Sequence, residues 1–147
     1  SLVNSVPVIL RHDPRVEIKA ASLPSQLSLK ILAWNDRHAD KDAKDIYILI
    51  KHYGHPVNED RLINEELGII ELEDFDIECA CAYLIGKDAG KILGADLSKK
   101  ISGILKEESS HSGNQRLPTA MMASILEDDF DKKVKLLEKV QQGLDSE

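Results

Sequence analysis

The sequence predicts a mainly α (α+β) chain, an N-terminal two-strand remnant followed by a bundle of about five to six helices. Apolar residues recur at three- and four-residue spacing over most of the chain, whereas strict alternation is confined to the first 21 residues. Aromatic residues make up only 4% of the sequence, so the core has to be built from Leu, Ile, Val and Ala, which suits helix packing. At 147 residues and 42% hydrophobic, the chain carries enough apolar side chain for one core of ordinary size.

Val6-Pro7-Val8-Ile9-Leu10 and the alternating Val16-Glu17-Ile18-Lys19-Ala20 read as two strands around a tight connection at His12-Asp13-Pro14-Arg15. Two strands alone are marginal, so residues 1–21 read as the hairpin remnant of a truncated sheet. A start at Ser1 without Met, entering a strand almost at once, reads as a piece of a longer protein. Ser22-Leu23-Pro24 supplies a capping hydroxyl and a first-turn proline for a helix to about Arg37. Asp40 is the expected cap of a second helix, from Lys41 to about Tyr53, closed by Gly54 and Pro56. A short helix is expected near Asn58 to Leu67, then a long one from Asp74 or Asp76 through Ile92, ended by Gly94. A fifth runs from Leu97 to Glu108, completing a helical block at residues 22–108. Residues 109–118 read as a linker, polar through Asn114. Within 119–147, beyond Pro118, an amphipathic helix places Leu126, Phe130, Val134, Leu137, Val140 and Leu144 on one stripe.

With 19 basic against 26 acidic residues the net charge is −7, which opposes the counterion release that drives generic nucleic-acid binding. A local basic pocket remains compatible with that charge. Apolar runs fall far below the ~20 residues of a membrane span, and no leader pattern precedes a cleavage site, so a cytoplasmic protein without membrane contact is expected. Cys79 and Cys81 lie two apart in a predicted helix, point to different faces, and read as buried thiols of a reducing compartment.

At about 100° per residue, Gln26, Lys30, Ala33 and Arg37 share one stripe of the first helix, beside the apolar stripe of Leu23, Leu27, Ile31 and Trp34. Leu29 and Leu32 cover the far side, so the helix is expected to be wrapped nearly all round, and Lys30 to need a partner. Lys30 and Arg37 lie two turns apart, roughly 10 Å, a spacing that suits two points on a polyphosphate. The second helix turns Asp42 into its apolar stripe of Ile46, Leu49, Ile50 and Tyr53, with Asp45 on the edge. A short connection makes the two helices neighbours, so the cations can meet the carboxylates. A structural ion pair explains these charges equally well, and the acidic residues also suit a helix first turn.

Val16 to Pro24, Leu29-Lys30-Ile31-Leu32-Ala33-Trp34, Asp36-Arg37, Lys41-Asp42-Ala43-Lys44-Asp45-Ile46 and the later Ala82 to Leu93 together resemble the C-terminal helical portion of the AbiEii-type nucleotidyltransferase (toxin-like) family, over roughly residues 6 to 93. That resemblance implies an upstream mixed sheet with a Gly-Ser loop and an Asp-x-Asp pair for two metal ions, and a helical block closing the nucleotide pocket. It makes Lys30 the phosphate-facing lysine, Arg37 its basic partner, and Asp42 and Asp45 the acidic positions of the second helix. It implies Mg²⁺ and a nucleoside triphosphate in the intact parent, and a toxin–antitoxin setting. None of the eight glycines is followed by Ser, so the loop is absent from this chain, which is expected to be inactive alone. Asp-x-Asp occurs at Asp40/Asp42, Asp74/Asp76 and Asp129/Asp131, each at a predicted helix start or on a helix, and capping accounts for them.

Other candidates are weaker. His52 and His55 stand at i and i+3 near a helix end without a third ligand, and His52 suits the negative end of the helix dipole. Cys79 has no basic residue nearby in sequence to make it a reactive thiolate, and Met121 and Met122 read as core filler. Two functions therefore stand side by side. One is the C-terminal portion of a nucleotidyltransferase-like protein that supplies triphosphate-pocket residues. The alternative is a helical protein-interaction module, docking an antitoxin-like partner, without nucleotide binding.

Overall fold

A computed structural model describes residues 5–12, 15–54, 58–74, 76–123 and 130–146. Strands β1 (Ser5–His12) and β2 (Arg15–Ala21) pair antiparallel, with Val6 opposite Ala20 and Val8 opposite Ile18. The register slips between Ile9 and Arg11, so Leu10 has no facing residue. This hairpin is all the sheet among the described residues; its expected tight connection rests on residues 13–14, outside them.

Eight helices follow among the described residues, a mainly α bundle as expected, with two of the expected helices each divided in two. Helix α1 (Leu23–Arg37) starts as the sequence indicates: Ser22 Oγ accepts the Ser25 N–H at 3.4 Å, and Pro24 sits in the first turn. Gln26 Nε2 donates to the Ala21 carbonyl at 2.6 Å and ties the hairpin to α1. The helix ends where His38 takes a left-handed conformation and donates its N–H to Trp34 O at 2.8 Å.

Helix α2 (Asp40–His52) corrects one expectation: its cap is Ala39, which offers no side-chain bond, and Asp40 is already helical. There Asp40 and Asp42 meet the positive end of the helix dipole. Gly54 is buried at the far end, where a methyl group would strike Cys81 Sγ; Pro56 lies outside the described residues. The single short helix expected next is two, α3 (Glu59–Asn64) and α4 (Leu67–Leu72). The N–H groups of Glu65 and Glu66 both converge on Arg61 O at 2.9 Å, which closes α3 before α4 begins.

Asp76 caps α5 (Ile77–Ile92), its carboxylate accepting the Cys79 N–H at 3.1 Å; Phe75, inside the nearest Asp-x-Asp, is outside the described residues. Helix α6 (Ala95–Ser109) follows, and the polar run beyond it folds back on itself through Gly113 N–H to Ser110 O at 3.0 Å. The helix expected beyond Pro118 is also two, α7 (Arg116–Ala123) and α8 (Phe130–Asp145). Pro118 stands in the first turn of α7, where its missing N–H is harmless. Leu126 and Asp129 fall on residues 124–129, outside the described residues.

Helix α5 is the centre of the core, with Ala80, Ala82, Leu84 and Ile85 fully buried. Helix α8 lies against it and buries Leu137, Val140 and Leu144 of the amphipathic stripe read from the sequence, while Phe130 and Val134 are half-buried. The two backbones approach closely at Gly86 and Gly143: a methyl group on Gly86 would run into the Val140 carbonyl, and one on Gly143 into the Tyr83 carbonyl. Met121 is buried and Met122 half-buried.

Candidate functional site: the charged seam between the first two helices

The connection between α1 and α2 is short, so the helices lie side by side and run in opposite directions. All four charged residues singled out from the sequence meet in their seam. Arg37 grips Asp42 with a two-point fork, Nε to Oδ2 at 2.6 Å and Nη2 to Oδ1 at 2.9 Å. Lys30 Nζ lies 2.8 Å from Asp45 Oδ2 and 3.6 Å from Asp42 Oδ1, so it bridges both carboxylates.

Burial divides the four. The Asp42 side chain is 0% exposed, among Ala43, Ile46 and Tyr47, while Arg37 is 61% exposed. Lys30 and Asp45 are each about one-third exposed, at 32% and 33%. The Arg37 fork holds the Asp42 carboxyl below the usual carboxylate range against the opposing effect of burial, and Lys30 adds to that pull. Asp45, hydrogen-bonded to Lys30, in turn raises the lysine's pKa.

Two consequences follow for chemistry. A guanidinium has five N–H donors and Asp42 engages two of its nitrogens, so an anchored Arg37 keeps donors for solvent or for an oxyanion. The Lys30–Asp45 pair is partly exposed, and pairs of that kind hold by about 1 kcal/mol or less, so Lys30 exchanges partners cheaply. Beyond Lys30 the seam opens into a concavity of 260 Å³ lined by Gln26, Lys30, Asp45, Ile48 and Leu49. One expectation is corrected here: α1 is not wrapped all round, because Leu29 is 61% exposed.

The carboxylates of the seam do not fit Mg²⁺. Asp42 has both oxygens engaged by cations, and no cluster of three metal-ligating side chains occurs among the described residues.

Sequence reasoning missed a second polar network, at the C-terminal end of α2. Asp88, in the middle of α5, accepts Arg61 Nη1 at 2.5 Å and Nη2 at 2.7 Å, and the Tyr53 hydroxyl at 2.5 Å. Glu66 extends it to Lys87 at 3.2 Å. Burial pushes the Asp88 carboxyl up, but Arg61 and Tyr53 outweigh it and leave it below the usual range. Burial likewise raises the Tyr53 phenol, with the Asp88 hydrogen bond adding to it. The only sign of this hub in the sequence is an acidic residue at a position that the helical period turns inward.

Glu108 is a third buried carboxylate. It accepts the Leu117 N–H at the start of α7 at 2.7 Å and Trp34 Nε1 at 3.3 Å, joining α1, α6 and α7. Cys79 is also corrected: Lys132, from α8, places its ammonium 3.8 Å from the sulfur. Burial still raises the thiol, outweighing the lysine, so the expectation of an unreactive cysteine keeps its physical basis. Both cysteines are buried, His52 is exposed in the last turn of α2, and His55 lies outside the described residues.

Among the described residues no helix is long and apolar enough to cross a membrane. Comparisons with protein-family models, with curated proteins and with solved structures find no match to this chain.

Proposed function

We propose that this chain is the helical C-terminal portion of a nucleotidyltransferase-like protein of the AbiEii type, and that the α1–α2 seam contacts the triphosphate of a nucleotide. One observation carries the reading: Arg37 is pinned by a fully buried carboxylate while most of its side chain faces solvent. A structural ion pair has no need of an exposed cation held in a fixed orientation. Lys30, two turns away and paired with the partly exposed Asp45 as well as, at longer distance, with Asp42, is the second phosphate contact. Asp42 and Asp45 orient the two cations. Mg²⁺ and the catalytic carboxylates belong to the intact parent, and this chain alone does not catalyse. The buried thiols Cys79 and Cys81 support a reducing, cytoplasmic setting.

Calorimetric titration with a nucleoside triphosphate and Mg²⁺ tests the reading. Lys30→Ala and Arg37→Ala should each weaken binding about ten-fold, the worth of one charge-assisted contact. Unchanged affinity in folded variants removes the phosphate role.

One observation favours the alternative, a helical interaction module that docks an antitoxin-like protein. Leu29 and Leu97 are exposed beside an apolar groove of 250 Å³ at the exit of the hairpin. On that reading Leu29→Lys abolishes complex formation, and neither the wild type nor the variant binds triphosphate.

A further inference from the structure

A concavity of 640 Å³ opens between the end of α5, helix α6 and the last turn of α8. Leu93, Lys99, Ser102, Lys106, Leu144 and Asp145 are among the residues that line it, and none of its lining residues belongs to α1 or α2. It is therefore separate from the charged seam. Its volume falls within the ~300–1,000 Å³ of sites that take a whole small molecule.

Ser102 is only 5% exposed, yet its hydroxyl makes no hydrogen bond among the described residues. A helical hydroxyl can close back on the carbonyl one turn earlier, as Ser28 does to Pro24 O at 2.9 Å and Thr119 to Gln115 O at 2.8 Å. Ser102 instead leaves its donor at the concavity, and a buried polar group without a partner calls for an acceptor. Lys99 and Lys106 stand three residues before it and four after, the two spacings that make neighbours on a helix surface. Lys99 is exposed and makes no ion pair among the described residues, whereas Lys106 Nζ lies 3.7 Å from Asp145 Oδ2. That pair is long and largely exposed, so it holds Lys106 loosely. Two ammonium groups against one carboxylate leave a single net positive charge at the concavity, while Leu93 and Leu144 supply apolar surface.

We propose that this concavity binds a monocarboxylate with an apolar body. The carboxylate accepts from the Ser102 hydroxyl and the Lys99 ammonium, Lys106 adds its charge from the next turn, and the body lies against Leu93 and Leu144. One negative charge balances the site. A polyphosphate fits it poorly, because Asp145 repels the additional charges. The inference is independent of the phosphate reading of the α1–α2 seam and stands or falls without it.

The test is nuclear magnetic resonance titration of the wild-type chain, Ser102→Ala and Lys99→Gln with octanoate, octanol and tripolyphosphate, with urea denaturation reporting the stability of each protein. Octanoate should give saturable shifts at the Ser102 and Gly103 amides and bind about ten-fold tighter than octanol, as one charge-assisted hydrogen bond implies. Ser102→Ala should weaken octanoate about ten-fold and Lys99→Gln about three-fold, both leaving octanol unchanged. Ser102→Ala should also be no less stable than the wild type, since the hydroxyl has no protein partner and Ala favours a helix. A destabilised Ser102→Ala protein would show the hydroxyl serving the fold and overturns the site. Equal affinity for octanoate and octanol, octanoate binding unchanged in either variant, or no saturable shift at Ser102 overturns it as well. Tripolyphosphate shifts at Lys99 as large as those from octanoate overturn the selection for a single charge.

Discussion

Replacing Gly86 by Ala tests how tightly α5 and α8 are joined. In an exposed helix interior this exchange stabilises by up to about 1 kcal/mol, because Ala loses less backbone freedom than Gly on folding. At Gly86 the new methyl group would meet the Val140 carbonyl and the Leu144 N–H, both backbone atoms that no rotamer change can move. The helices must then separate, loosening Leu137, Val140 and Leu144 against α5. Overpacking of this kind costs about 1–3 kcal/mol, and against rigid backbone the upper half of that range applies, so the net loss is about 1–2 kcal/mol. Gly103, exposed on α6 with nothing within 4 Å of an added methyl, is the control and should gain up to about 1 kcal/mol. Urea denaturation followed by circular dichroism measures both, with a melting shift of about 2–4 °C per kcal/mol as a check. Because one separation of the helices accommodates both methyl groups, Gly86→Ala and Gly143→Ala combined should cost less than the sum of the two. A Gly86→Ala protein as stabilised as Gly103→Ala would refute the close approach of the two helices.

Asp88→Asn removes the charge that Arg61 and Tyr53 share and should cost about 2–4 kcal/mol by the same denaturation assay; a loss under about 0.5 kcal/mol would show that the hub is not formed. Glu108→Gln should cost about 1–2 kcal/mol, since a neutral amide caps the start of α7 less well, and a shift in Trp34 fluorescence should accompany it. Asp42, Asp76 and Asp88 are all held below the ordinary carboxylate value of 3.8. The unfolded chain therefore binds more protons than the native one just below that value, so their stabilisation is complete above about pH 4 and fades as pH falls through the folded pKa values. Urea midpoints that stay level from pH 5 to pH 2.5 would contradict these depressed values.

The parts of the structure legible in the sequence are those set by local spacing. The Ser22 cap, the end of α1 near Arg37 and the short connection to α2 act within a few residues, and they place Lys30 and Arg37 against Asp42 and Asp45. Helical period alone turned Asp42 inward, where it is fully buried. Partners distant in the chain were not legible. Asp88 meets Tyr53 and Arg61 across 35 and 27 residues, and Lys132 reaches Cys79 across 53. Gly86 and Gly143 each read locally as weak points of a helix, and only their mutual approach gives them a purpose. Leu29 failed for a related reason: an apolar residue marks where a core is possible, not where a neighbour actually sits, and among the described residues Leu29 stays 61% exposed. The Arg61 carbonyl that divides α3 from α4 is a backbone event with no side-chain signature.

Whether the α1–α2 seam holds phosphate is decided most directly by nuclear magnetic resonance titration of the chain with tripolyphosphate, following the Arg37 Nε–H and the Lys30 ammonium. The predicted result is saturable shifts at Lys30 and Arg37 that are absent at the exposed Lys99 and Lys100 of α6, with the Arg37 Nε–H protected throughout by Asp42. Shifts spread evenly over surface lysines, or none at Lys30 and Arg37 in a folded chain, would contradict it.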